Sequence, residues 1–189
     1  MSASELTKRV LSEGIKELME KTPLSKISVG DICAHCGISR NTFYYHFKDK
    51  FDLVNWIFYT ESMGHLTNFA SPDAWADGLI ELFRYLQENR RFYINALEVI
   101  GQNSFSEYLL EFYRNLLVAC IHELKGDKSI GDEEIDFISR FFAHAIAGMI
   151  MDWAKAGMKK DPALAIAYIR ELINSNLLLE LQQNQDGQE

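Results

Sequence analysis

The chain has 189 residues, 48% hydrophobic and 24% charged, with 3 prolines, which is the balance of a globular protein long enough for one or two domains with a buried core. That composition excludes collagen-like and low-complexity chains, and no run of about 18 apolar residues offers a membrane span. The net charge of −8 is unevenly spread: residues 1–50 hold eight Lys and Arg against six Asp and Glu, whereas residues 51–189 hold eleven against twenty-one. An acidic body repels a polyanion, while the first fifty residues tolerate one. The polar, periodic start MSASELTKRVLSEG does not read as a secretory signal, and 3 cysteines, an odd number, fit a reducing cytoplasm better than a disulfide framework.

The elements follow in order as helices. Residues 4–21 put Leu6, Val10, Leu11, Ile15, Leu18 and Met19 on one face at spacings of three and four, until Thr22-Pro23 breaks the pattern. Ser28 with Asp31 predicts a capping box, and Gly37 a left-handed C-cap, for a short second helix. Ser39 caps a third. Asp49 with Asp52 opens a fourth that runs to about Gly64. Ser71-Pro72 starts the next, with Trp75, Leu79, Leu82, Phe83 and Leu86 inward. A helix over about 91–100 follows, and then Ser104 with Glu107 predicts a second capping box ahead of 105–124. KGDKSIGD is a loop; 133–157 and 162–182 are long apolar helices around GMKKDP; QNQDGQE buries nothing. No stretch alternates as a strand does. The fold class is all-α.

Residues 28–47, SVGDICAHCGISRNTFYYHF, carry the sharpest signal. Two short helices joined by a turn at Gly37 have the layout of a helix-turn-helix, whose second helix enters the major groove while the first crosses the backbone. Phe43 and Phe47, four apart, suit a buried face. Arg40, Asn41, Thr42, Tyr44, Tyr45 and His46 crowd the rest with hydrogen-bonding groups. Arg pairs with guanine edges, Asn with adenine, and the Thr methyl with the thymine methyl; Tyr hydroxyls, His46 and Lys50 suit phosphate oxygens. Aromatics at helical spacing are more often core. Here the loop, caps, glycine turn and aromatic helix occur together and in order.

Those residues resemble the TetR family of bacterial transcriptional regulators. The match consists of the amphipathic first helix, Ile27-Ser28-Val29, Asp31-Ile32, Gly37-Ile38-Ser39, Thr42-Phe43-Tyr44-Tyr45-His46-Phe47, and Lys50 followed by Leu53, within about residues 6–55. The run TFYYHFKDKFDLVNWIF is most similar to the subgroup containing regulators of dihydroxyacetone kinase operons. The resemblance implies an N-terminal three-helix DNA-binding domain with a helix-turn-helix at 1–50 and a helical ligand-binding and dimerisation domain at 51–189. It implies a DNA-facing set of Ser28, Ser39, Arg40, Asn41, Thr42, Tyr44, Tyr45, His46 and Lys50. Among these, Ser28 and Lys50 would meet phosphates, Arg40, Asn41, Thr42 and Tyr44 bases or the adjacent backbone, and Tyr45 and His46 phosphate and sugar. The short, nearly neutral start Met-Ser-Ala-Ser-Glu departs from the basic arm of many members.

The resemblance further implies a palindromic double-stranded DNA operator and a homodimer paired through helices 133–157 and 162–182. It implies an effector, a small molecule or a protein co-regulator, that shifts the separation of the two recognition helices. Repression, the family default, is the expected sign of regulation for this chain, although the subgroup includes activators that respond to a protein partner. Candidate pocket residues are Trp56, Tyr59, Met63, Phe83, Tyr93, Tyr108, Phe112, His144 and Trp153; each also reads as ordinary core. The helix at 133–157 has two apolar faces, through Ile135, Ile138, Phe142, Met149, Phe141 and Trp153, with Ala145 and Gly148 small enough for close helix approach. One face would pair with a second subunit, or both would be internal.

Other signals point away from chemistry. Cys33-x-x-Cys36 lies in a helix without a second ligand pair, so structural packing is the better reading than zinc; Cys120 is core. No glycine-rich phosphate loop, nucleophile elbow or zinc-protease motif occurs. No cofactor, metal or enzymatic activity is expected. The alternative reading is a protein-interaction or coactivator-dependent module of the same fold with weak or no DNA binding of its own.

Overall fold

A computed structural model describes residues 2–66, 75–101, 103–126 and 129–174. Among the described residues the chain forms nine α-helices and no strand: α1 Ala3–Met19, α2 Val29–Cys36, α3 Arg40–His46, α4 Lys50–Ser62, α5 Trp75–Glu88, α6 Arg90–Leu97, α7 Phe105–Leu124, α8 Asp132–Lys155 and α9 Pro162–Asn174. The expected starts at Ser71-Pro72, the 175–182 end of the last helix and the QNQDGQE tail lie outside the described residues.

The helix ends follow from local chemistry. Ser2 and Glu5 form a capping box on α1, and Ser28 and Asp31 form one on α2. Gly37 closes α2 at φ +65°, a left-handed geometry that favours glycine. The Asp49 carboxylate accepts from the amides of Phe51 and Asp52 to start α4. Two 3-10 turns, Leu24–Lys26 and Met63–Leu66, are additions to the expected pattern. The box expected at Ser104 is half formed. Ser104 Oγ accepts the Glu107 amide at 3.4 Å, but the Glu107 carboxylate accepts the amide of Asn103, one residue earlier, at 2.9 Å. The helix expected over 91–100 ends at Leu97.

Packing joins the elements through one continuous core. Leu11, Ile15, Ile32, Phe43 and Phe47 from α1–α3 and its end meet Leu53, Val54, Ile57 and Phe58 on α4. Phe58 then leads into the body, edge-on to Tyr93, Phe105, Tyr108 and Phe112 at ring separations of 5.1–6.2 Å. Helices α7 and α8 pack along each other, and α5 lies against α9. On α8 the inward stripe is Ile135, Ser139, Ala143, Ile146, Ala147, Ile150 and Ala154. The stripe carrying Phe137 and Phe141 stays outside, the two rings stacked at 6.4 Å. No described helix is long and apolar enough to cross a membrane.

Candidate nucleic-acid interface

The short helix α3 divides its residues sharply. Phe43 is fully buried and Phe47, just past the helix, nearly so, whereas Tyr44 is 56% and Tyr45 81% exposed. Arg40 and Asn41 are also exposed, and Thr42 and His46 are half-buried. A seven-residue helix that buries one aromatic edge has no room to bury the other, so its polar side faces solvent. Edge-to-face contacts, Phe43 with Tyr44 at 5.6 Å and Tyr45 with His46 at 4.9 Å, hold those rings in place.

Four expected DNA-facing groups serve the fold first. Ser39 Oγ accepts the Thr42 amide at 3.1 Å and pairs with the Thr42 hydroxyl at 2.8 Å, so each occupies the other. Ser28 Oγ donates to the Asp31 carboxylate at 2.7 Å, which leaves it no proton for a phosphate. Lys50 turns inward: its ammonium donates to the carbonyls of Leu24 and Ile27 at 2.6 Å each, and to Ser25 at 3.4 Å. Burial holds the Lys50 pKa below the usual lysine value, with Asp49 and Asp31 opposing. Lys50 thus stitches the 3-10 turn before α2 to the start of α4. Ser28 lowers the Asp31 pKa, through its hydroxyl hydrogen bond first and its backbone amide second.

Sequence reasoning missed Asn95. Its carboxamide nitrogen on α6 donates to the carbonyls of Met19 and Thr22 at 2.9 Å each, and its oxygen accepts the Leu24 amide at 2.7 Å. One side chain of the body thus satisfies three backbone groups at the end of α1. A second link runs from Lys16 on α1 to Glu61 on α4 at 2.6 Å, on to the Tyr85 hydroxyl, and from there to Tyr93 at 2.9 Å. Burial raises the pKa of Tyr85 and Tyr93. An asparagine among IN-A-L has no sequence signature; only the placement of α6 on α1 gives it partners.

The nine candidate pocket residues do not form one pocket. Tyr59, Met63, Tyr108 and Phe112 share a cleft of about 430 Å³ between α4 and α7, with Glu111, Asn115 and Leu116. Burial, foremost, pushes the Tyr108 pKa up to about 12. Phe83 and Trp153 stack at 5.4 Å beside a separate cleft of about 610 Å³ at α9. Trp56 lines a groove against α1 with Glu5, Arg9 and Thr60. Tyr93 is fully buried, and His144 is exposed, its Nδ1 against the Arg140 carbonyl at 2.8 Å. Tyr93 is therefore core and His144 surface. Of the thiols, Cys33 and Cys120 are buried and Cys36 packs its sulfur 3.5 Å from the Val10 carbonyl. Burial raises the pKa of all three, which disfavours the thiolate form a nucleophile needs.

A capped, glycine-turned pair of helices on an all-helical body, with the second helix offering polar groups to solvent, defines a helix-turn-helix regulator. The chain matches the family described as bacterial regulatory proteins, tetR family, over residues 11–57, and the one described as transcriptional regulator C-terminal region over residues 73–175. The chain belongs to the TetR family of bacterial transcriptional regulators, which are DNA-binding proteins and not enzymes. It is 34% identical over 151 residues to the HTH-type dhaKLM operon transcriptional activator DhaS of Lactococcus lactis subsp. lactis (strain IL1403), covering 79% of this chain and 80% of that protein. The solved structure of a dihydroxyacetone kinase operon activator DhaS aligns with a TM-score of 0.63 at 28% identity, over 88% of this chain and 93% of the other. The fatty acid degradation regulator FadR from Bacillus halodurans shares the fold, with a TM-score of 0.63 at 14% identity over 94% and 97%. The similarity thus lies with the regulators of dihydroxyacetone kinase operons.

Proposed function

We propose that the chain controls an operon by binding a palindromic operator as a homodimer in the cytoplasm, with α3 of each copy in the major groove. Residues 1–50 make the DNA-binding domain in this reading, and residues 51–189 the regulatory and dimerisation domain. The observation that carries it is the split of α3: Phe43 and Phe47 hold the helix to the core while Asn41, Tyr44 and Tyr45 stay exposed. Two such helices related by a two-fold axis read half-sites about one helical turn, 10–10.5 bp, or a multiple apart.

The homodimer reading rests on the outer stripe of α8, Phe137 and Phe141, and on exposed Leu164 and Tyr168 of α9. Apolar surface of this kind marks an interface. Gly148, on the same side as Phe141, has open space where a side chain would begin, which suits a close helix partner. The effector, a small molecule or a protein co-regulator, is assigned to the Tyr59, Met63, Tyr108 and Phe112 cleft, because four candidate residues converge there. Its binding must favour one spacing of the two α3 helices over another, since only a difference in affinity moves the equilibrium. The 34% identical relative is described as an activator, which supports activation here rather than the repression that is the family default.

A mobility-shift assay with the DNA upstream of its own gene tests the reading. Wild-type protein retards it, and more so at low salt, because neutralised phosphates release counterions. Tyr44→Ala loses specific retardation while its helical circular dichroism is unchanged. No retardation of this DNA by wild-type protein at low salt would favour the protein-interaction module instead.

A further inference from the structure

Arg40 opens α3, yet its guanidinium does not follow that helix into the groove side. It folds back onto α2. A methyl group placed on Gly30 would lie 2.4 Å from Arg40 Nη2 and 3.3 Å from Cζ, so the guanidinium rests on the bare Cα of Gly30. Ser28 Oγ is 3.4 Å from the same point. The group forms no direct ion pair with a carboxylate among the described residues, and it remains solvent-exposed. Asp31 feels its charge only behind the two Ser28 hydrogen bonds.

This placement answers a gap. Of the groups expected to meet phosphates, Ser28 and Lys50, unlike Tyr45 and His46, have their protons engaged within the fold. The helix that crosses the DNA backbone in this motif is α2, whereas base edges are met by the start of α3. A guanidinium carried over to α2 therefore faces phosphate oxygens, which it binds as a planar fork. We infer that Gly30 is a positioning residue whose missing side chain seats Arg40 against α2, so that Arg40 grips the DNA backbone and base reading falls to Asn41 and Tyr44. The inference rests on the DNA-binding reading above.

Binding is measured by fluorescence anisotropy across a salt series, with two duplexes of equal length: the DNA upstream of its own gene, and a random sequence. Arg40→Ala is expected to weaken both alike, roughly 10-fold, and to lower the salt slope by about one phosphate contact. Gly30→Ala is expected to weaken both by about threefold or more through the displaced guanidinium. Its melting temperature stays equal or rises, because alanine favours a helix over glycine and the atom it displaces is the free end of a flexible chain. In an Arg40→Ala background, Gly30→Ala adds no further loss.

Three results would overturn the inference. Loss confined to the upstream duplex in Arg40→Ala would make Arg40 a base reader. Wild-type affinity in Gly30→Ala would show that the glycine positions nothing. An equal cost of Gly30→Ala with and without Arg40 would mean that residue 30 meets DNA itself. Wild-type protein without affinity for either duplex would instead remove the DNA-binding reading, and this inference with it.

Discussion

The two ends of the molecule use aromatic side chains in opposite ways. In α3, two tyrosines face water from a helix whose phenylalanine is fully buried. In the body, Phe58, Tyr93, Phe105, Tyr108 and Phe112 turn their rings on one another in a shared cluster. A short, capped helix offers one buried edge, so its residues sort themselves by position. Long helices surrounded by others offer several buried edges, so the same residue type is core, cleft wall or surface according to its neighbours. An exposed tyrosine in α3 is therefore a stronger pointer to function than any aromatic in the body.

Mutations can break this contrast, and the largest effect is expected at its inward pole. Phe58→Ala removes the ring that meets four others, and should lower the unfolding free energy by about 3–5 kcal/mol in a denaturant titration. Asn95→Ala, at the junction of the two regions, strands an amide and two carbonyls. It should cost about 2–3 kcal/mol, with faster hydrogen exchange at the Leu24 amide; unchanged exchange there would show that the junction does not depend on it. Lys50→Ala should cost about 2 kcal/mol, because two short carbonyl contacts lose a charged donor. A Lys50→Ala protein of wild-type stability and reduced DNA affinity would restore the phosphate role and show that the inward contacts matter little.

At the outward pole, Tyr45→Ala should change the unfolding free energy by no more than about 0.5 kcal/mol while weakening DNA binding. A large stability loss would erase the distinction between the two aromatic sets. The smallest effect concerns pH. Asp31 has its pKa lowered from the ordinary 3.8 by the Ser28 hydroxyl, then the Ser28 amide. Its support for α2 is thus present above that value and lost as pH falls through and below it. Backbone chemical shifts at the start of α2 should report the change on acidification, and Asp31→Asn should abolish it.

Much of the N-terminal unit was legible because its signals are local. Ser28 with Asp31, Gly37, Ser39 and Asp49 each act within four residues of themselves, and each does in space what its spacing predicts. Phe43 and Phe47 were legible as the buried edge for the same reason. Ser104 with Glu107 was half legible: the carboxylate had two amides within reach and took Asn103. The pocket list was much less so. Four of its members share one cleft, while Tyr93 and His144 stand at the extremes of burial, although nothing in their sequence neighbourhoods separates them.

What the sequence determined by itself was the order of helices, most of their caps and the helix-turn-helix spacing, because hydrogen bonds between near neighbours and a 3.6-residue period need no distant partner. What tertiary structure decided was where long side chains end. Lys50 reaches back to Ile27, Arg40 to Gly30, and Asn95 to Met19. A flexible chain of several bonds has many staggered ends, and only the surface packed beside it selects one.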